Sequence, residues 1–239
     1  MKVSLITPDS MLDMENAGQE CFILATRWDS TRYITHYVEQ KRMTIVDNGA
    51  YELSASMPAS VLVHIAQQLK TSDVYVVIPD VLRNARGTRL LFGNTIEVLR
   101  RLPYKLMAVP QADTREEWMK EYAFYAKQPH VSAIGLPIWM NRVGYRRSKV
   151  LFELQKKGLY ARDKMHHLLG LDEPIEVREC VGLAHGVDTS LPFSLAWMGA
   201  QLTAAKPPEH TRVPIDAVFT EEKKKIAESN CRELLRLAE

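Results

Sequence analysis

Short apolar runs alternate along the chain with longer segments whose apolar residues recur every three or four positions. The apolar runs predict strands, because short and largely β-branched runs suit a sheet that is buried on both faces. They lie at residues 3–6, 22–25, 43–46, 74–78, 106–109, 131–136 and 167–171, and an eighth ends at Asp188. The periodic segments predict helices near residues 58–69, 88–102, 114–126, 149–155, 193–204 and 220–238.

Strands that alternate with helices predict βα units, and such units form a parallel sheet. Seven or eight units in 239 residues fit a compact α/β fold, the closed (β/α)8 TIM-like barrel. An open, doubly wound sheet is the alternative, and the pattern by itself does not separate the two. No internal repeat or linker divides the chain, so residues 1–239 are expected to form a single domain.

The composition is ordinary for a soluble globular protein, with 46% hydrophobic and 25% charged residues. The net charge of +2 is too small to indicate a nucleic-acid partner by itself. The first apolar run is too short for a signal peptide and no stretch is long enough to span a membrane, so we expect a cytoplasmic protein. Scattered Cys21, Cys180 and Cys231 argue against a disulfide framework and are expected to be small buried residues.

Five of the predicted strands have a polar residue or a glycine at or near their carboxyl ends. These residues are Asp47, Asp80, Gln111, Gly135 and Asp188. In a parallel barrel the carboxyl ends of the strands open on one mouth, where such folds place their chemistry. Each residue alone is explained as a cap or turn of the helix that follows. Five together, three of them acidic, favour a functional site.

The part of the chain around the last two strands carries the most specific pattern. After the run at 167–171, which contains Leu-Leu-Gly, the residues predict a helix with Pro174 in its first turn and Gly186 at its end. The strand that follows ends at Asp188, four residues before Pro192.

These segments resemble the tRNA-guanine transglycosylase superfamily, and most of all its short, zinc-free, phage-type 7-deazaguanine DNA transglycosylases. The family has Leu-Leu-Gly or Leu-Met-Gly before a helix, then Gly-Val-Asp with the nucleophilic aspartate four residues before a proline. The segment Asp47-Asn48-Gly49-Ala50-Tyr51 is similar to the family's Asp-Ser-Gly-Gly-Phe/Tyr. The resemblance covers roughly residues 44–192.

The resemblance implies a role for each matching residue. Asp188 would be the nucleophile, and Asp47 the acid/base. The residues that it implies in base binding are the stacking ring of Tyr51, the guanine-edge acceptor Asp80, the carbonyl-reading amide of Gln111, the backbone of Gly135 and Leu136, and the apolar cover of Leu169.

The residue types suit this chemistry. Guanine offers N1 and N2 donors that a carboxylate accepts, and its flat face packs against aromatic or aliphatic groups. Breaking the N-glycosidic bond develops oxocarbenium character at C1′, which one carboxylate can attack from the face opposite the leaving base. A second carboxylate manages the protons on the departing and arriving bases.

The family's tRNA enzymes have a three-cysteine, one-histidine zinc site after the nucleophile. Beyond Pro192 this chain has only Cys231 and His210, so we expect no zinc subdomain, no metal and no cofactor. The adjacent His166 and His167 would point to opposite faces of a strand, and we expect structural roles for both.

Basic residues concentrate between residues 142 and 164, and they are predicted to contact nucleic-acid phosphates. The residues in this prediction are Arg142, Arg146, Arg147, Lys149, Lys156 and Lys157. The alternative is a solvated helix face, which is what most charged runs are.

The sequence therefore predicts a base-exchange enzyme that replaces guanine in DNA with a 7-deazaguanine such as preQ0 through a covalent aspartyl-glycosyl intermediate. The apolar segment 193–197 stands where the tRNA enzymes have arginines, which favours DNA. The alternatives are the same reaction on tRNA, a guanine-releasing N-glycosidase, and a non-catalytic protein that binds deazapurines or nucleic acid. The oligomeric state stays open.

Overall fold

A computed structural model describes residues 1–209 and 211–239, so His210 lies outside the described residues. The strands are β1 Lys2–Leu5, β2 Cys21–Leu24, β3 Thr44–Asp47, β4 Val74–Val77, β5 Lys105–Ala108, β6 Val131–Pro137, β7 Met165–Leu169 and β8 Gly186–Thr189. The helices are α1 Thr31–Val38, α2 Ala50–Leu53, α3 Ala59–Gln68, α4 Ala85–Leu99, α5 Arg115–Ala126, α6 Trp139–Arg142, α7 Arg147–Lys156, α8 Ile175–Glu179, α9 Leu191–Trp197 and α10 Glu221–Ala238. Two 3-10 segments, Asp9–Ala17 and Ala25–Arg27, flank β2.

All eight strands belong to one sheet with the order β1-β8-β7-β6-β5-β4-β3-β2. From β2 to β8, consecutive strands thus lie side by side, and β1 lies beside β8. An isolated parallel bridge from Ser4 to Glu20 joins β1 to the residue before β2. Parallel strands in this order with helices between them are those of an α/β, TIM-like (β/α)8 barrel, so the predicted fold class is confirmed.

The chain divides into two compact units. The first unit comprises Met1–Glu20, Pro137–Glu153 and His167–Glu239, and the second comprises Cys21–Leu136 and Leu154–His166.

The second unit is built on the parallel pairing of β2 with β3, β3 with β4, and β4 with β5. Every residue of β2 and β4 is buried, as expected for apolar strands that helices cover. Helix α5 begins as its capping pair predicts, because the Thr114 side chain accepts the Glu117 N–H. The α5 ring of Trp118 is fully buried, and its Nε1 donates to the Pro110 carbonyl at 3.0 Å.

In the first unit, β8 pairs in parallel with β1 on one side and with β7 on the other. Helix α10 packs against α9, and the buried side chain of Asn230 joins it to the segment after α9. The Asn230 Nδ2 donates to the carbonyls of Pro192 and Ala200, and its Oδ1 accepts the Leu202 N–H at 2.7 Å. These bonds satisfy backbone groups at the start of α9 and in the irregular segment that follows it.

Several local predictions were wrong. The helix predicted to run from Pro174 to Gly186 is only α8, and Gly186 is the first residue of β8, paired with Lys2 and His167. A Cβ at Gly186 would come within 3.1 Å of Glu20 Oε2 and 3.2 Å of His167 Nδ1, so close packing explains this glycine better than a helix end does. Helices α1, α2 and α6 lie where no helix was predicted, and α9 ends at Trp197 although a helix was predicted to about residue 204.

The helices carry charged faces and buried faces. In α10, the longest, Ala227, Cys231 and Leu234 are buried while charged residues lie between them. None of the helices in the described ranges has the length and apolar character needed to cross a membrane. The three cysteines are buried and not in disulfides, as predicted.

Candidate functional site

Asp80 is the centre of a buried polar cluster in the second unit. It follows β4, and only 2% of its surface is exposed. Its Oδ1 accepts Asn48 Nδ2 at 2.6 Å, and its Oδ2 accepts Gln111 Nε2 at 2.5 Å. The Ser56 hydroxyl accepts the Asp80 N–H at 2.8 Å. The cluster therefore holds one carboxylate between two amides, in a fixed orientation.

The environment of Asp80 changes its acidity. Burial raises the pKa of this carboxyl from 3.8 to about 6, because its charged form loses hydration. The hydrogen bonds from Gln111, Asn48 and Ser56 act in the opposite direction, since they stabilise the carboxylate. The group thus has a pKa of about 6, and a ligand that donates hydrogen bonds to it would favour the ionised form.

Gln111 and Asn48 are themselves oriented by the backbone. The Arg83 N–H donates to Gln111 Oε1 at 2.9 Å, and Asn48 Nδ2 also donates to the Ile78 carbonyl at 3.0 Å. The Asn48 Oδ1 accepts the Ala50 N–H, which links the cluster to the start of α2. Asn48 was not assigned a role from sequence, although it lies between two positions that were. The reading of a base carbonyl by Gln111 stays a prediction.

The loop after β3 presents Asp47 and Tyr51. The Asp47 Oδ2 accepts the Gly49 N–H at 2.9 Å, which closes a tight turn. Gly49 has a φ of +73°, and a Cβ there would lie 2.8 Å from Thr26 Cγ2, so this position requires glycine. Tyr51 lies on α2 and is 51% exposed. Gly135 and Leu136 lie in β6, with Leu136 fully buried.

In the first unit, Asp188 lies near the end of β8 and is 4% exposed. Its Oδ1 is 3.2 Å from His167 Nε2, and its Oδ2 accepts the Gly170 N–H at 3.1 Å. A carboxylate can only accept, so Nε2 carries the proton in this pair. Each oxygen of Asp188 is therefore held by a different donor, which defines the plane of the carboxylate. Leu169, the last residue of β7, directly precedes Gly170 in the chain and is half-buried.

His167 is a site residue that the sequence analysis missed, since it was given a structural role. The alternation along β7 contained the signal: His167 is two positions before Leu169 and faces the same side of the strand. His166 faces the other way. In the second unit its ring stacks on Tyr160, and its Nε2 is 2.8 Å from the Tyr122 hydroxyl. Burial lowers the pKa of His166 to about 4.

The structure corrects one member of the predicted phosphate-binding set. Arg147 is fully buried and its guanidinium forms a two-point ion pair with Glu176, so it cannot reach a phosphate on the protein surface. Arg142 pairs with Asp172 and Arg146 with Glu173, both at partly exposed positions. Lys149, Lys156 and Lys157 are exposed, as is Arg142 in its ion pair.

No family model matches this chain, and no curated protein matches it in sequence. The transglycosylase resemblance therefore stays a prediction that rests on the residues themselves. Within residues 1–209 and 211–239, no group of three or more histidine, cysteine or acidic side chains is placed to hold a metal ion.

Proposed function

We propose that the protein is a base-exchange transglycosylase that replaces guanine in DNA with a 7-deazaguanine such as preQ0. The observation that carries the proposal is the buried carboxylate of Asp188, whose two oxygens are held by His167 and by the Gly170 N–H. A nucleophile that attacks one fixed atom must itself be held in one orientation. Two donors on the Asp188 carboxylate hold it in this way.

The reaction proceeds in two displacements at C1′. In the first, an Asp188 oxygen forms an ester bond to C1′, the bond from C1′ to guanine N9 breaks, and the departing base takes a proton from Asp47. In the second, Asp47 takes a proton from the incoming 7-deazaguanine, whose N9 attacks C1′ and releases Asp188. Two inversions at C1′ retain the configuration of the sugar.

Recognition of the base is assigned to the second unit. A purine edge with N1 and N2 donors matches the buried Asp80 carboxylate, which Asn48 and Gln111 keep in one orientation. Each carboxylate oxygen can accept a further hydrogen bond, and a site built to accept donors discriminates against a ligand that lacks them. The half-exposed ring of Tyr51 supplies a stacking surface.

DNA is the proposed polynucleotide. The segment that follows Pro192, where the resembling tRNA enzymes have arginines, forms α9, and its Phe193 and Leu195 are fully buried. Exposed Lys149, Lys156 and Lys157 are the proposed phosphate contacts. They are point charges on flexible stems, as sequence-independent backbone binding requires.

The test is to trap the covalent intermediate. Parent protein is incubated with a guanine-containing DNA duplex, denatured and run on a gel, with and without preQ0, and the adduct is mapped by mass spectrometry of peptides. We expect an adduct on Asp188 that preQ0 discharges, with preQ0 then present in the DNA. Asp188→Asn keeps the size of the side chain but removes the nucleophile, so it should abolish both adduct and exchange.

Asp47→Asn is the matched carboxylate control, since it should slow exchange by about 10²–10⁴-fold without removing the attacking group. An adduct that persists in Asp188→Asn, or that maps elsewhere, would contradict the assignment of the nucleophile. Exchange on a tRNA transcript but not on DNA would mean that tRNA, and not DNA, is the substrate. Release of guanine without uptake of preQ0 would indicate an N-glycosidase, and binding of preQ0 without turnover a non-catalytic protein.

A further inference from the structure

Arg147 is the most deeply buried basic residue of the predicted phosphate-binding set, with 0% of its side chain exposed. Its Nε donates to Glu176 Oε1 at 2.9 Å and its Nη2 to Glu176 Oε2 at 2.6 Å. Asn141 completes the cluster, because its Nδ2 donates to Glu176 Oε2 and its Oδ1 accepts the Arg147 N–H. Removing two charges from water is costly, and a buried ion pair is weak evidence of a gain in stability.

The rest of the guanidinium is used on backbone carbonyls. Arg147 Nη1 donates to the Leu169 carbonyl at 3.0 Å, and Nη2 donates to the Gly170 carbonyl at 2.7 Å. These are the last residue of β7 and the residue after it. The planar fork of arginine makes this possible, since its N–H groups diverge in one plane and reach a carboxylate and two carbonyls together.

The same short segment holds Asp188. Gly170 contacts both residues. Its carbonyl accepts from Arg147 Nη2, and its N–H donates to Asp188 Oδ2. Gly170 has a φ of +77°, a conformation that side chains rarely adopt, and a Cβ there would meet Ile138 at 3.3 Å. The turn is therefore specified on both sides, by the arginine and by the absence of a side chain.

We infer that Arg147 is a positioning residue for Asp188, which it orients through the backbone of Leu169 and Gly170. The inference rests on the proposed function. An ion pair that only joined α7 to α8 would need Glu176 and not the two carbonyls. A phosphate contact would need exposure, which Arg147 lacks. Glu176 and Asn141 hold the guanidinium in the plane from which it reaches the turn.

The experiment measures single-turnover adduct formation with a guanine-containing duplex in the absence of preQ0, together with the Kd for that duplex. Arg147→Lys keeps the charge but loses the fork. We expect the rate of adduct formation at saturating DNA to fall by about 10²-fold, as for small misplacements of reacting groups. The Kd for DNA should stay within about twofold of the parent value, since Arg147 does not contact phosphate. Arg178→Lys is the matched control, because Arg178 is exposed on α8, and it should react at the parent rate.

A second variant keeps the inference testable if Arg147→Lys does not fold. Arg147→Met with Glu176→Leu removes both buried charges and keeps similar volume, a replacement that buried ion pairs often tolerate. Its thermal unfolding should resemble that of the parent, while its adduct formation should be as slow as that of Arg147→Lys. A folded double variant that reacts at the parent rate would overturn the positioning role.

A weaker Kd for DNA with an unchanged rate at saturation would also overturn it, since that result describes a phosphate contact. The proposed function and the positioning role would fail in different ways. If the parent protein forms no adduct, the proposed function fails and the positioning role with it. If the parent and both Arg147 variants form the adduct equally fast, only the positioning role fails.

Discussion

Raising the pH from 3.5 to 7.5 should destabilise the folded protein through the ionisation of Asp80. Burial raises the pKa of this carboxyl from 3.8 to about 6 in the folded state, while an unfolded chain keeps the ordinary value. Between these two values the folded protein retains a proton that the unfolded protein has lost. Stability from this group is therefore fully present below pH 3.8 and is lost as the pH rises through 6.

The size of the effect follows from the shift. A difference of one pKa unit corresponds to about 1.4 kcal/mol, so Asp80 should contribute about 3 kcal/mol less to the free energy of unfolding at pH 7.5 than at pH 3.5. The hydrogen bonds from Asn48, Gln111 and Ser56 are already included in this balance, since they limit the rise in the pKa. That contribution is a sizeable fraction of the stability of a typical domain.

The assay is urea unfolding of the parent and of Asp80→Asn at several pH values between 3.5 and 7.5. The asparagine is of similar size but does not titrate, so the other groups cancel in the difference between the two proteins. The substitution also changes hydrogen bonds to Asn48 and Gln111, which shifts the difference by a constant. The expected result is that the parent loses about 3 kcal/mol relative to Asp80→Asn as the pH rises.

Ser56→Ala provides a second check on the same reasoning. Without the serine hydroxyl the charged form of Asp80 loses one stabilising hydrogen bond, so the pH-dependent loss of stability should move to higher pH. A difference between the parent and Asp80→Asn that is constant with pH would refute the raised pKa of Asp80. A difference that changes in the opposite direction would refute desolvation as its main cause.

Two further predictions concern the candidate site. Replacing the exposed Lys149, Lys156 and Lys157 with glutamine should weaken DNA binding. It should also lower the slope of the logarithm of the binding constant against the logarithm of the salt concentration by up to about 0.9 per lost phosphate contact. An unchanged slope in the triple variant would mean that these lysines form a solvated face and do not contact phosphate. His167→Leu should slow adduct formation by about 10²-fold, because it removes the donor to Asp188, while His167→Gln should restore part of the rate with its side-chain N–H. His166→Gln is the matched control, and equal losses in all three variants would indicate a general packing effect.

Much of the fold could be predicted from local pattern. The strand at residues 74–78 was predicted from a continuous apolar run, and β4 occupies Val74–Val77. The start of α5 was predicted from Thr114 and Glu117, and the cap forms as expected. Such features depend on neighbours in the chain, so a short window contains all the information they need.

Other features required contacts between distant residues. Gly186 suits a helix end by local rules, but its pairing with Lys2 places it in β8. Arg147 looked like a surface charge among other charges, and only the position of Glu176 on α8 reveals that it is buried. A window around either residue does not contain the partner that determines its environment.

The sequence alone predicted the eight strands and most of the helices between them, and it identified Asp80, Gln111 and Asp188 as polar residues at strand ends. Tertiary structure decided which groups form hydrogen bonds to the two carboxylates. Asn48 and Gln111 donate to Asp80, and His167 and the Gly170 N–H contact Asp188. The physical reason is that hydrophobic periodicity is a property of consecutive residues. A hydrogen bond to a buried carboxylate depends instead on atoms that folding brings within about 3 Å from strands and loops far apart in the chain.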